Sequence, residues 1–157
     1  MSRMKEHRYA MTVTWTGNQG EGTARYRDYS RAHDVYIPGK PVLAGSADPA
    51  FLGDPTRWNP EELLVASLSE CHMLWVLALA AAKKVVITGY TDEADGVMVE
   101  EPDGGGQFRE VTLRPVVTVA EPGMVAAAEE LHAAAHAKCF IARSMNFPVR
   151  HEPRTLA

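Results

Sequence analysis

The sequence lacks the features that mark several large classes of protein. Its 157 residues include only two cysteines, and no segment is low in complexity, so neither a disulfide-stapled mini-protein nor a disordered chain fits. The net charge of −4 includes no basic stripe, which argues against nucleic acid as a partner. The longest apolar run, 73–82, is far shorter than the ~18 residues of a membrane span. The charged N-terminus has no apolar signal core, and we predict a cytoplasmic protein without a membrane partner.

Several functional motifs are also missing. The sequence has no glycine-rich phosphate loop, no dinucleotide fingerprint and no Gly-x-Ser-x-Gly elbow, which argues against a nucleotide-binding enzyme or a serine hydrolase of the α/β type. What remains is an ordinary globular composition, with 46% hydrophobic and 23% charged residues. A chain of this length is typical of one domain, which we assign to residues 1–157.

The pattern of residues predicts an α+β fold with antiparallel sheet and two main helices. Alternating β-branched and aromatic residues predict strands, and a dense set of prolines and glycines predicts a long loop. The predicted strands are 8–16, one or two within 23–37, 85–91, 96–101, 107–120 and 147–150; the loop is 38–58; the helices are 60–82 and 124–138, with a short one through residue 142.

The long helix begins with a strong start signal. Asn59 is a candidate N-cap, Pro60 suits the first helical position, and Glu61 and Glu62 suit the first turn. Its second half is apolar on every side. Because such a helix must be buried in a core or an interface, this pattern favours a homodimer for so small a domain.

The two cysteines, Cys71 and Cys139, are the main candidates for chemistry. Both lie in segments of helical pattern. Buried, inert thiols would explain them, since free cysteine is among the most buried residue types. The alternative is a redox pair, in which one thiolate attacks and the other thiol resolves the sulfenic acid to a disulfide. His72 follows Cys71, but neighbouring helical residues diverge by about 100°, so we assign it to packing.

A metal site is a competing possibility. His132, His136 and Cys139 recur at i, i+4 and i+7 on one helix, and two histidines four residues apart can share a metal. Cys71 would supply a fourth ligand. The plainer interpretation is an alanine-rich helix with solvated histidines, and we favour it.

Two segments around the cysteines resemble the OsmC/Ohr family of organic hydroperoxide reductases. The run NPEELLVASLSECHM, residues 59–73, is similar to the family motif in which Asn-Pro-Glu opens a long helix and the attacking cysteine follows the glutamate by ten residues. The run AHAKCFIARSMNFPV, residues 135–149, is similar to the segment around the resolving cysteine. The order of predicted elements matches the family over essentially the whole chain.

The resemblance implies an intertwined homodimer with sheets wrapped around central helices and two active sites at the interface. It implies a thiol peroxidase that reduces organic hydroperoxides without metal, haem or other cofactor. Cys71 would be the attacking thiolate and Cys139 the resolving thiol. A thiol reductant, such as a lipoylated protein, would restore both.

The same resemblance gives Glu61 a role, that of holding an arginine that stabilises the thiolate. Ten helical residues separate Glu61 from Cys71, which is a rise of about 15 Å. We therefore expect Glu61 to serve the Cys71 of a partner chain. The position of the arginine differs between branches of the family; here Arg27 and Arg57 rank equally, with Arg31 behind them.

Overall fold

The computed structural model describes residues 3–157 and has the predicted α+β architecture. The strands are β1 (Thr12–Trp15), β2 (His33–Tyr36), β3 (Leu43–Gly45), β4 (Ile87–Asp92), β5 (Asp95–Glu100), β6 (Gly106–Leu113), β7 (Pro115–Val119), β8 (Val149–His151) and β9 (Arg154–Leu156). The α-helices are α1 (Pro60–Ala82), α2 (Val125–Lys138) and α3 (Phe140–Arg143), and short 3-10 turns lie at Pro49–Phe51 and Pro122–Met124. The described residues divide into two compact units between Leu63 and Leu64. The single domain expected from the length stays a prediction.

The first unit holds an antiparallel sheet in the order β1-β2-β3. The segment 38–58, predicted to be a loop, contains β3 and the turn at Pro49–Phe51. Tertiary hydrogen bonds outweigh the local pattern here. The Trp58 amide donates to the Ala44 carbonyl (3.0 Å), and the Ser46 amide donates to the Trp58 carbonyl (2.8 Å).

The start of α1 is a reciprocal cap. The Glu62 amide donates to Asn59 Oδ1 at 2.8 Å, and the Asn59 amide donates to Glu62 Oε2 at 3.1 Å. Both amides belong to the helix end, where backbone donors lack partners within the helix. The cap fixes the first turn and leaves the neighbouring Glu61 carboxylate outside it.

The second unit contains two three-stranded sheets, ordered β4-β7-β9 and β5-β6-β8. The pairs β4–β7 and β5–β6 are antiparallel, as the sequence predicted, and both sheets are mixed because β8 runs parallel to β6 and β9 runs parallel to β7. The predicted strand 107–120 is two strands in different sheets, separated at Arg114. Pro115, which lacks an amide donor, begins the second of them.

Two apolar clusters form the core of the second unit. One contains Val76, Val117 and Leu131, and the other contains Leu68, Val111 and Leu113. The fully buried residues of α1 are Leu68, His72, Val76 and Ala80, a spacing of four that marks a single helix face. By length and composition α1 is the one helix among the described residues apolar enough to cross a membrane, but core helices of soluble proteins pass the same test.

Candidate functional site

The second unit brings the two cysteine side chains together. Cys71 lies half-buried on α1, and Cys139, only 1% exposed, follows the last residue of α2. Both are free thiols, and Cys71 lies close enough to Cys139 to raise the pKa of that thiol. The sequence places these residues 68 positions apart, and the packing of α2 against the same core as α1 closes that gap.

Cys139 occupies a junction between two helices. Its backbone is extended (φ −64°, ψ 113°), which ends α2, and its amide donates to the His136 carbonyl at 3.3 Å. Its Sγ atom accepts a hydrogen bond from the Ala142 amide at 3.4 Å and so caps α3. The thiol is therefore held in place from both sides.

The two thiols are electrostatically unequal. Burial, together with the neighbouring Cys71, raises the pKa of Cys139 to about 11. At neutral pH Cys139 is thus a protonated thiol. Since the thiolate is the reactive form of cysteine, Cys139 is poorly suited to attack first.

Apolar side chains lie beside the thiols. The ring of Trp75 is 5.6 Å from the ring of Phe140, measured between centroids. Phe140 is 69% exposed and Leu74 is 60% exposed. Single exposed apolar residues are common on proteins, but several close together mark an interaction surface.

The first unit contains a separate cavity of about 310 Å³. Its lining combines aromatic rings with one arginine and two carboxylates. The lining residues are Trp15, Tyr29, Arg31, His33, Ser46, Ala47, Asp48, Phe51, Pro60 and Glu61. Glu61, predicted as a site residue, thus opens onto a defined cavity.

Arg31 is the arginine that shares this cavity with Glu61. Its guanidinium carbon lies 4.0 Å from the centroid of the Tyr29 ring and 4.3 Å from that of Tyr26. It also donates to the Tyr29 carbonyl at 2.5 Å and to the Tyr26 carbonyl. The stacking on two rings fixes its position.

The two arginines ranked higher from the sequence lie elsewhere. Arg57 donates to the Gly45 carbonyl, the His33 carbonyl and the Asp34 carboxylate, each at 2.8 Å, and so ties β2 to β3. Arg27 is exposed, and its side chain makes no hydrogen bond within residues 3–157. The interval of 30 residues between Arg31 and Glu61 is the sequence signal that could have ranked Arg31 above the other two.

The candidate metal ligands do not form a metal site. His132 Nδ1 lies 3.0 Å from His72 Nε2, and Cys139 pairs with Cys71. Throughout residues 3–157, no three histidine, cysteine or acidic side chains are arranged to hold a metal ion. The histidines instead stack with His151, a contact that the sequence spacing did not suggest.

Comparison with solved structures extends over nearly the whole chain. An OsmC-like protein of unknown function from Vibrio cholerae is 34% identical with a TM-score of 0.80, covering 96% of this chain and 99% of that chain. An organic hydroperoxide resistance protein from Elizabethkingia anophelis is 18% identical with a TM-score of 0.67, covering 97% and 99%. One from Bacillus subtilis is 20% identical with a TM-score of 0.58, covering 94% and 98%. These two similarities below 25% identity establish the fold alone.

A comparison with curated protein sequences gave no match. The family model described as OsmC-like protein matches residues 53–154, a span that contains α1, both cysteines and all four stacked histidines. With that match and the 34% identity to the Vibrio cholerae protein, the chain belongs to the OsmC-like protein family.

Proposed function

We propose that this protein is a thiol peroxidase that reduces organic hydroperoxides to alcohols. The observation that carries the proposal is the neighbouring pair of free thiols, in which the buried Cys139 keeps its proton beside Cys71. Such a pair separates the attacking role from the resolving role before any substrate arrives. The names of the Elizabethkingia anophelis and Bacillus subtilis proteins support the same activity.

The reaction begins at the sulfur of Cys71. The thiolate attacks the distal oxygen of the hydroperoxide, the O–O bond breaks, and the departing alkoxide takes up a proton to become the alcohol. Cys71 is left as a sulfenic acid. The sulfur of Cys139 then attacks Cys71, water leaves, and the two sulfurs form a disulfide.

A dithiol reductant completes the cycle by thiol–disulfide exchange. Its thiolate attacks the disulfide, a mixed disulfide forms, and the second reductant thiol releases the protein with both cysteines reduced. Two electrons and two protons pass from the reductant to the protein. We assign this role to a small dithiol or to a dihydrolipoyl group on a lipoylated protein.

The cavity of the first unit belongs in this scheme if a second copy of the chain supplies it. Glu61 and Arg31 line that cavity, and a cation near a thiolate favours the charged form. A planar guanidinium also suits a carboxylate partner. We assign the cavity of one copy to the Cys71 of the other, with Trp15, Tyr29 and Phe51 accepting the organic part of the substrate.

The dimer has independent support in the surface of α1. From Met73 to Ala82 every residue is apolar, yet only Val76 and Ala80 are buried, and Leu74 is 60% exposed. A helix apolar on all sides requires a partner on all sides. A second copy of the chain meets this need and closes the active site.

The direct test is a thiol titration with intact mass before and after one equivalent of cumene hydroperoxide. Loss of both thiols, with a mass decrease of two hydrogens, is the expected result. The Cys139→Ser variant is the matched control, because it retains the attacking thiol and forms no intramolecular disulfide. Two thiols that remain unreacted in the unmodified protein would overturn the proposal.

A further inference from the structure

Four imidazole rings from three different elements meet in the second unit. His72 belongs to α1, His132 and His136 to α2, and His151 to β8. The His72 ring centroid lies 5.3 Å from that of His132 and 5.5 Å from that of His151, and the His136 and His151 centroids are 5.4 Å apart. We call these four residues the histidine cluster.

The buried pair within the cluster links the helices that carry the thiols. His72 Nε2 and His132 Nδ1 are 3.0 Å apart, and both residues are 1% exposed. His72 is adjacent to Cys71 in the chain, and His132 precedes Cys139 by seven residues, about 10 Å along α2. The imidazole contact thus joins the turn of α1 that carries Cys71 to α2, and it helps to fix how α2 lies over α1.

This contact depends on a missing proton. A hydrogen bond between two imidazoles needs one nitrogen to donate and the other to accept, so the pair must lack a proton at one of the facing atoms. If both facing nitrogens, His72 Nε2 and His132 Nδ1, carried a proton, two N–H groups would face each other and the hydrogen bond would be lost. His132 Nε2 is buried without a hydrogen-bond partner, and it offers the added charge no acceptor.

The surroundings give a protonated imidazole no counter-charge. The charges that act on His72 are those of His132, His151 and His136, which lie on α2 and β8, and the charge that acts on His132 is that of His151. All of these repel a cation. Burial, with this repulsion, lowers the pKa of His72 to about 3 and that of His132 to about 4.

The direction of the pH effect follows. In the closed form His72 and His132 are in contact; in an opened form α2 has moved away from α1 and the imidazoles are hydrated. There the imidazoles would regain a pKa near 6.5, so between about pH 6.5 and pH 4 the opened form binds more protons than the closed form. Linkage therefore shifts the equilibrium toward opening as the pH falls through this window. Above pH 6.5 the closed form is at its most stable.

We infer that the histidine cluster is a positioning element that holds Cys139 against Cys71 when neutral and releases it in acid. The inference rests on the proposed function for its catalytic meaning, since only a thiol pair that forms a disulfide needs such alignment. The imidazoles do not touch the reacting sulfur through this contact. They act by setting the position of α2.

The experiment measures exposure of Cys139 without any peroxide. Reduced protein reacts with 4,4′-dithiodipyridine, which labels thiols in acid as well as at neutral pH, and the labelled residue is identified by peptide mass. Dividing by the rate for protein unfolded in urea at the same pH removes the effect of thiol ionisation. We expect the protection of Cys139 to fall at least about tenfold between pH 7 and pH 5.

His132→Gln is the decisive variant, because glutamine can donate or accept a hydrogen bond but does not titrate in this range. Its protection should fall clearly less than that of the unmodified protein over the same pH interval, because one fewer buried imidazole takes up a proton on opening. His7→Gln, in the exposed N-terminal segment, should behave like the unmodified protein. An equal fall in His132→Gln, or no fall in the unmodified protein, would overturn the inference.

A second variant covers a failure of His132→Gln to fold. His151→Gln leaves the buried pair intact and removes one imidazole whose pKa the closed form lowers, so opening takes up fewer protons and the total loss of protection between pH 7 and pH 4 should be smaller. An unchanged loss would contradict the inference. Because none of these measurements uses a hydroperoxide, they stand apart from the test of the proposed function.

Discussion

At the scale of single residues, the unequal thiols predict unequal variants. Cys71→Ser should abolish reduction of cumene hydroperoxide, because no other sulfur can attack. Cys139→Ser should complete one oxidation and then stop, because the sulfenic acid has no resolving partner. Steady-state assays with a dithiol, together with dimedone labelling of the sulfenic acid, measure both outcomes. Full turnover by Cys71→Ser would show that the roles are assigned wrongly.

The choice among the arginines is also a matter for single substitutions. Arg31→Gln removes the cation that shares a cavity with Glu61, and we expect the rate of Cys71 oxidation to fall by about 10- to 100-fold. Stopped-flow oxidation with cumene hydroperoxide measures this rate.

The other two arginines serve as controls. Arg27→Gln alters an exposed side chain and should leave the oxidation rate unchanged. Arg57→Gln removes hydrogen bonds to β2 and β3, so it should lower the midpoint of thermal unfolding more than the rate. A loss of rate in Arg27→Gln equal to that in Arg31→Gln would contradict the assignment.

At the scale of elements, the cap of α1 should make a measurable contribution to the free energy of unfolding. Asn59→Ala removes the acceptor of the Glu62 amide and should reduce the free energy of unfolding by about 1 kcal/mol. Asn59→Asp keeps a side-chain oxygen in the same place and should lose less. Urea denaturation followed by circular dichroism compares the two. Equal losses would mean that the cap contributes nothing beyond the packing of Asn59.

The elements that local chemistry determines were predictable from the sequence. The cap residue and the long apolar run predicted α1 with the bounds that the structure has. β3 was not predictable, because Leu43–Gly45 is extended through hydrogen bonds to residues distant in the chain. The same holds for β9, which pairs in parallel with β7, where Arg154 lies opposite the distant Val116.

The residues of the candidate site were likewise only partly predictable from the sequence. Cys71, Cys139 and Glu61 were predictable because each lies in a short motif of consecutive residues. Arg31 ranked behind Arg27 and Arg57 because the two features that single it out exist only in the folded chain. These features are the cavity that it shares with Glu61 and its stacking on two tyrosines. His151 was not predicted as a neighbour of the other histidines because only the fold brings β8 to the histidines of α1 and α2.

At the scale of the whole molecule, the exposed apolar surface of α1 predicts a dimer. Leu74→Glu places a charge on that surface and should convert the dimer to monomer or weaken it at least about tenfold, since burying an unpaired charge is costly. Light scattering coupled to size-exclusion chromatography measures the mass. The matched control is Val99→Glu, at an exposed position on β5. A monomeric unmodified protein would refute the prediction.

The position of Cys139 at the start of α3 has a consequence for the oxidised protein. The sulfur that accepts from the Ala142 amide is the sulfur that a disulfide with Cys71 would draw away. Oxidation would then leave the first turn of α3 without its cap. The backbone at Phe140 and its neighbours would become more mobile. The surface at α3 would thus differ between the oxidised and the reduced protein, and a reductant could bind the oxidised form selectively.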